Sequence, residues 1–381
     1  MQTAAYRYAI GDGWDQPPDV TLDSPETLIL VFGPTDLGPL AAVLDALRAS
    51  FPTSVWAGAS TAGEIAGRSI DDNTLTVALV RFAGTCLRGI THRFEQTAQS
   101  FAAGQEIAQS LNADGLRGIL VFADGLNVNG SELARGFSSA LPAGIVVTGG
   151  LAGDGNRFQQ TWVLGESGPQ EHAIVAIGFY GARIGLAHGS GSGWDILGVH
   201  RKVTRASGNV LYELDHQPAL PLYKKYLGER AAELPASALL FPLAIHSDGK
   251  RDEETVRTIL GIDEAAQSIT FAGDIPEGAT VQLMRANFER VIDGAAQAAE
   301  RTGMSAYAGG PLLALAVSCV GRRLVLSERS EEELDAVLDT LPAQTTMVGF
   351  YSYGELSPLT GSCCDLHNQT MTLTLLWENA A

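Results

Sequence analysis

Met347-Val348-Gly349-Phe350-Tyr351-Ser352-Tyr353-Gly354-Glu355-Leu356 has a near twin far upstream, Trp56-Ala57-Gly58-Ala59-Ser60-Thr61-Ala62-Gly63-Glu64-Ile65. Both read Gly-x-x-x-x-Gly-Glu-(Ile/Leu), and in both a short apolar run ends at the first glycine. An apolar run bounded by turn residues is the mark of a buried strand. The question is what precedes each run.

Upstream of the first, Thr27 to Phe32 reads as a buried strand, and Leu37 to Ser50 places Leu40, Val43, Leu44 and Leu47 on one helical face. The helix must stop before Phe51-Pro52. Upstream of the second, Leu312 to Val317 is the strand, Ser330-Glu331-Glu332-Glu333 opens a helix with carboxylates where the dipole favours them, and Leu341-Pro342 ends it. A middle copy runs through Ile119 to Phe122, a helix from Ser131 to Ala140, Leu141-Pro142, and Ile145 to Thr148 before Gly149-Gly150. From the helix-ending proline to the strand-ending glycine the gap is six residues in the first copy and seven in the other two. A further strand follows each unit: Asn73 to Val80, Ala173 to Phe179 and Asn368 to Leu376.

The spacing predicts an α/β protein of repeated β-α-β-β units, forming mixed sheets flanked by helices, in two halves. The expected N-terminal half, 1–200, holds two repeats. The expected C-terminal half, 201–381, holds the third plus inserted material. That material reads as a strand at Asn209 to Leu214, a helix ending before Gly228, a strand pair at Glu254–Leu260 and Ser268–Phe271, and a helix from Asn287 to Arg301.

Charge and composition narrow the function. The net charge is −18, which opposes nucleic acid and anionic membranes. The charged fraction of 18% lies below the usual ~25%, and 43 glycines among 381 residues indicate many tight turns. The N-terminus lacks a signal-peptide pattern, and no apolar run approaches the ~20 residues of a membrane span. A cytoplasmic chain with four reduced cysteines is expected.

The motifs exclude more than they assign. A Walker A loop would need Lys where Glu64 stands. His188-Gly189-Ser190-Gly191-Ser192-Gly193 is out of register with a nucleophile elbow. Adjacent Cys363 and Cys364 are poorly placed to chelate one metal. If the units are parallel, the strand-ending glycines gather at one sheet edge, where α/β folds bind ligands. Glu64 and Glu355 could then take a ligand amine, or cap their own turns. Arg257 could pair with a ligand carboxylate or an internal acid. An enzymatic alternative would use Glu355 and His367 as an acid–base pair.

Gly58 to Ile65, Gly149-Gly150-Leu151-Ala152-Gly153-Asp154-Gly155, and Gly349 to Glu355 with Leu366-His367-Asn368-Gln369-Thr370 together resemble the FIST sensory family, named for F-box and intracellular signal transduction proteins. The resemblance covers about residues 25–378. It implies a small-molecule input module, with amino acids as suggested ligands, acting through a separate partner. The ligand-binding residues expected on this basis are Ser60, Thr61, Glu64, Gly150, Asp154, Arg257, Tyr351, Tyr353, Glu355 and Asn368. Some members bind haem and report nitric oxide to a histidine kinase; haem b here would need His367, or alternatively His188, as axial ligand.

Overall fold

The computed structural model describes residues 1–234, 236–246, 254–359 and 362–380. The three units are present, and each builds the centre of its own sheet. In the first, strands Thr27–Gly33 and Val55–Ser60 run parallel, and Thr74–Arg81 runs antiparallel to Thr27–Gly33. Leu116–Ala123, Val146–Leu151 and Ala173–Tyr180 repeat this in the second, and Leu312–Cys319, Thr345–Ser352 and Met371–Glu378 in the third. Every unit also has a preceding outer strand: Gln2–Ala9, Cys86–Arg93 and Ile184–Gly191. The second and third of these carry no clean alternation of apolar and polar residues.

Between its second parallel strand and the last strand each unit inserts a small hairpin, and the hairpins are exchanged. Glu64–Ala66 of the first unit pairs with Thr345–Ser352 of the third. Val163–Gly165 of the second pairs with Val55–Ser60 of the first. Gly354–Ser357 of the third pairs with Val146–Leu151 of the second. The exchange therefore closes a ring. Three backbone hydrogen bonds repeat the same cycle at the turns: Ala62 N–H to Tyr351 O (2.8 Å), Gly153 N–H to Ser60 O (2.9 Å) and Tyr353 N–H to Leu151 O (3.2 Å).

The repeated glycine has a packing reason. A Cβ on Gly58, Gly149 or Gly349 would lie 2.0, 1.8 or 1.8 Å from the carbonyl oxygen of Val31, Val121 or Ala316 on the parallel neighbour. These glycines admit a strand to its own sheet rather than a ligand. The inward faces of the sheets share one core, in which Phe32, Phe122 and Phe350 meet with ring centroids 4.9–5.9 Å apart. Helices Gly130–Ala140 and Ser330–Thr340 bury their apolar faces in a second, outer cluster.

The inserted material forms a fourth sheet with its own apolar core, wrapped by helix Ala219–Leu227. One sequence expectation is corrected here. The run Glu254–Leu260 is not one strand, because it breaks at Thr258. Glu254–Arg257 pairs with Leu243–His246, and Ile259–Asp263 pairs with Ser268–Phe271.

The glycine run after His188 is also explained. A Cβ at Gly189, Gly191 or Gly193 would lie 2.1, 2.0 or 1.8 Å from the carbonyls of Ala298, Gly294 and Arg290, one helical turn apart. Alternate glycines let helix Phe288–Arg301 lie directly on the strand. Among the described residues, no helix is long and apolar enough to cross a membrane.

Candidate functional site

The two Gly-Glu turns are built alike. Glu64 accepts hydrogen bonds from the Thr61 hydroxyl and from the backbone N–H and hydroxyl of Thr74 (3.1 and 3.2 Å). Glu355 accepts them from the Ser352 hydroxyl (2.7 Å) and from the backbone N–H and hydroxyl of Thr370 (3.3 and 2.8 Å). Each carboxyl thus ties its own turn to the strand that follows. Thr74 and Thr370 both come after a residue of positive φ, Asn73 (63°) and Gln369 (59°). Both carboxyls are buried. Burial raises their pKa values, to about 7 for Glu64 and about 8 for Glu355, against the pull of these hydrogen bonds.

The second unit solves the same problem differently. Register puts Val163 where Glu64 and Glu355 stand, since Ala59, Phe350 and Gly150 are their respective partners. Asp124, at the end of the first strand of that unit, instead accepts from the backbone N–H of His172 (2.9 Å), the positive-φ residue of this unit, and from Thr161 (3.0 Å).

Each exchanged hairpin leans against the last and outer strands of the unit that donates it, making three equivalent seams. They are filled in three ways. In the first, Asp71 beside Glu64 is met by Arg7 of the outer strand through two hydrogen bonds of 2.5 and 2.6 Å. In the second, Val163 and Gly165 pack towards Val175, and Gly165 closes on Thr91 so tightly that a Cβ would lie 2.3 Å from the Thr91 hydroxyl oxygen.

The third seam is polar, and its groups are not matched. Glu355 and His367 are cross-strand neighbours, with Ser357 two residues on. Thr148 shares the face of Gly150, which abuts Val317 of the third sheet. Across the seam, His188 and Ser190 pair in register with Thr374 and Thr372. His367 Nε2 bonds to the Ser357 carbonyl (3.0 Å), and burial holds its pKa down at about 4, so the ring is neutral. The side-chain oxygens of Thr148 and Ser357, and every side-chain polar atom of Asn368 and Gln369, are buried and have no hydrogen-bond partner among the described residues. Such a group costs about 1–3 kcal/mol when left unmet. The four residues lie in or next to this seam, the Gln369 amide against Gly321, and unmet groups of this kind mark a place where something polar belongs.

The inserted sheet reaches this junction. Arg257, buried at the end of its strand, donates to the Leu366 carbonyl (2.9 Å) and to the Asp274 carbonyl (3.2 Å). Burial lowers its pKa to about 10, so it stays cationic. Trp194 donates to the Gln369 carbonyl (2.9 Å).

Of the remaining expected ligand residues Gly150 pairs with Glu355 at this seam, and the others lie elsewhere and are engaged within the protein. Tyr351 donates to Glu333 (2.6 Å), whose carboxylate forms a fully buried ion pair with Arg322 (2.7 Å). The Ser60 hydroxyl accepts from Trp162 N–H (3.0 Å). Asp154 takes the hydroxyl of Tyr353 and the backbone N–H groups of Phe158, Gln159 and Gln160. Burial pushes the Asp154 pKa up, but these bonds outweigh it and hold the group below its ordinary value. Gly150 presents only backbone. Thr61, Glu64 and Asp154 do border an open cleft of about 280 Å³, together with Asp72 and Arg157. There Asp72 is paired with Arg323 (2.7 Å).

Sequence reading thus reached Glu355, His367, Asn368 and Arg257, which the fold brings to one junction. It missed Thr148, Ser357, Gln369 and Trp194. Gln369 was within sight, inside the quoted run Leu366 to Thr370. Ser357 was two residues beyond Glu355; Thr148 is brought in by pairing between strands about two hundred residues apart, and Trp194 by its indole hydrogen bond.

A haem does not suit the surroundings of His367. A porphyrin needs a broad apolar slot and an imidazole nitrogen free to bind iron. His367 instead sits in a narrow polar seam with Nε2 already engaged, flanked by Glu355, Ser357 and Thr148. Among the described residues no group of three or more metal-ligating side chains is gathered.

No curated protein matches the chain. The FIST N domain matches residues 27–217 and the FIST C domain residues 219–358. The first match takes in the first two units except strand Gln2–Ala9, the outer strand of the third and the first strands of the inserted sheet, and the second carries the rest of that sheet and the turn bearing Glu355. The chain belongs to the FIST family of signal-transduction sensory domains.

Proposed function

We propose that this protein is a small-molecule sensor of the cytoplasm, binding an amino acid at the third seam and signalling through a separate output partner such as a histidine kinase. The observation that carries this reading is the set of buried, unpartnered polar atoms on Thr148, Ser357, Asn368 and Gln369. Arg257 supplies a cation for a carboxylate, and the Asn368 and Gln369 carbonyls and the two hydroxyls offer acceptors for an ammonium group. Glu355, holding its proton at neutral pH, contributes no negative charge there. The same neutrality favours a net-neutral zwitterion over a dication. The reading divides the expected ligand residues: Arg257, Glu355 and Asn368 belong to the site, and Glu64 to the framework.

A thermal-shift screen of the free amino acids, with haemin as a separate arm, tests this. A ligand at a hundred times its Kd adds about 2.7 kcal/mol, an easily read rise in Tm. The rise should be lost in Asn368→Ala and kept in Asp71→Asn. If no amino acid raises Tm, or if the rise survives Asn368→Ala, the assignment is wrong. A saturable Soret band that is lost in His367→Ala would restore haem.

A further inference from the structure

The three outer strands are equivalent in register but not in exposure. Along Gln2–Ala9 the far edge is occupied: Tyr8 and Ala9 pair with Trp14 and Gly13, Asp15 bonds both backbone groups of Arg7, and Gln16 caps the Ala5 carbonyl. Along Ile184–Gly191, Arg301 takes the Ser190 carbonyl, and helix Phe288–Arg301 lies along the strand. Cys86–Arg93 has Ala173–Tyr180 on one side and, among the described residues, no backbone partner on the other. Cys86, Arg88, Gly89 and Arg93 are exposed. A groove of about 300 Å³ runs beside Gly89, Ile90 and Thr91, walled by Val55 and Trp56 and by one residue of each charge, Arg48 and Glu166.

We infer that this edge is a docking strand for an extended, acidic segment of a partner protein, which adds to the sheet by backbone pairing and sets alternate side chains into the groove. An eight-residue open edge is a template that folded proteins otherwise cover or blunt. Charge selects the occupant. The strand carries Arg88, His92 and Arg93 and no carboxylate, within a chain of net charge −18. Two copies of this edge paired antiparallel would bring four arginines together, which opposes self-association. A partner strand with glutamates or aspartates at alternate positions is attracted by the same charges. This inference is independent of the ligand assignment.

The probe is a synthetic peptide of about eight residues alternating valine and glutamate, with a valine–lysine peptide as control. The acidic peptide should bind the full chain at least tenfold more tightly than the basic one, protect backbone amides within 86–93 from hydrogen exchange, and weaken several-fold as salt rises above about 0.1 M. Arg88→Glu with Arg93→Glu should reverse the preference; both side chains are exposed, so the fold should survive. Equal binding of the two peptides, binding of neither, or protection outside 86–93 would overturn the inference. So would a concentration-dependent dimer abolished by the same double substitution, which would make a second copy the occupant.

Discussion

The turns at Glu64 and Glu355 share their internal wiring and differ in what stands beside them. Both carboxyls are buried, both accept from a hydroxyl three residues back, and both accept twice from a threonine after a positive-φ residue. Beside Glu64 lies Asp71, satisfied by Arg7; beside Glu355 lies His367, among hydroxyls and amides without partners. The shared part is framework. The part that differs is where function has been fitted: among the described residues the first seam leaves the Thr76 hydroxyl unmet and the second one oxygen of Gln170, whereas the third leaves Thr148, Ser357, Asn368 and Gln369.

The largest effect should come from breaking the shared part. Glu64→Ala and Glu355→Ala each remove three hydrogen bonds and strand buried donors, a loss of about 3 kcal/mol in either turn. Urea denaturation measures it. A near-neutral Glu355→Ala beside a costly Glu64→Ala would show that the two cradles are not equivalent.

Titration separates the turns next. A carboxyl whose pKa is raised on folding stabilises fully below its unfolded value, 4.5 here, and loses that contribution as pH rises through the folded value. Stability should therefore fall between pH 4.5 and about 8. In Glu355→Gln the remaining loss should run from pH 4.5 and level off near pH 7; in Glu64→Gln it should run on and level off near pH 8. His367 runs the other way. Its pKa is depressed from 6.5 to about 4, so its contribution is complete above 6.5 and lost as pH falls through 4. Melting temperatures across pH 4–9 read both limbs, and a decline that stops at the same pH in the two Gln variants would break the assignment.

A smaller effect tests the filled seam. Asp71→Asn weakens a two-bonded pair whose side chains are 37% and 20% exposed, so about 1 kcal/mol is expected, fading at high salt. Ligand binding should not change. A loss of binding would place the sensory site at the first turn rather than the third.

The sequence made the repeat legible because each unit obeys local rules: a buried strand, an amphipathic helix, a proline stop and a glycine at a close strand contact. The middle unit showed no Gly-Glu because Asp124 and Val163 replace that device, which only their register reveals. Hairpin exchange was not legible, since pairing Glu64 with Phe350 or Gly150 with Glu355 depends on contacts about two hundred or more residues apart. The glycines after His188 resembled part of a catalytic turn because sequence cannot show a helix backbone two ångströms away. His367 and Glu355 were both visible as chemistry-bearing residues, but their burial, which makes one a neutral base and the other a neutral acid, belongs to the assembled sheets.

The smallest expected change in stability is also the most discriminating. The Ser357 hydroxyl oxygen makes no hydrogen bond, so Ser357→Ala in the ligand-free protein removes an unmet polar group and should leave stability unchanged or slightly raised. The corresponding loss of a satisfied hydroxyl, Ser352→Ala, breaks the 2.7 Å bond to Glu355 and should cost about 1 kcal/mol. With the amino acid bound, the two should change places: Ser357→Ala should lose part of the ligand-induced rise in Tm, while Ser352→Ala should keep it after its lower starting point is subtracted. If Ser357→Ala destabilises the free protein as much as Ser352→Ala does, its hydroxyl has a partner within the fold. The third seam would then be framework like the first, and the unmet groups of Asn368 and Gln369 would have to carry the site alone.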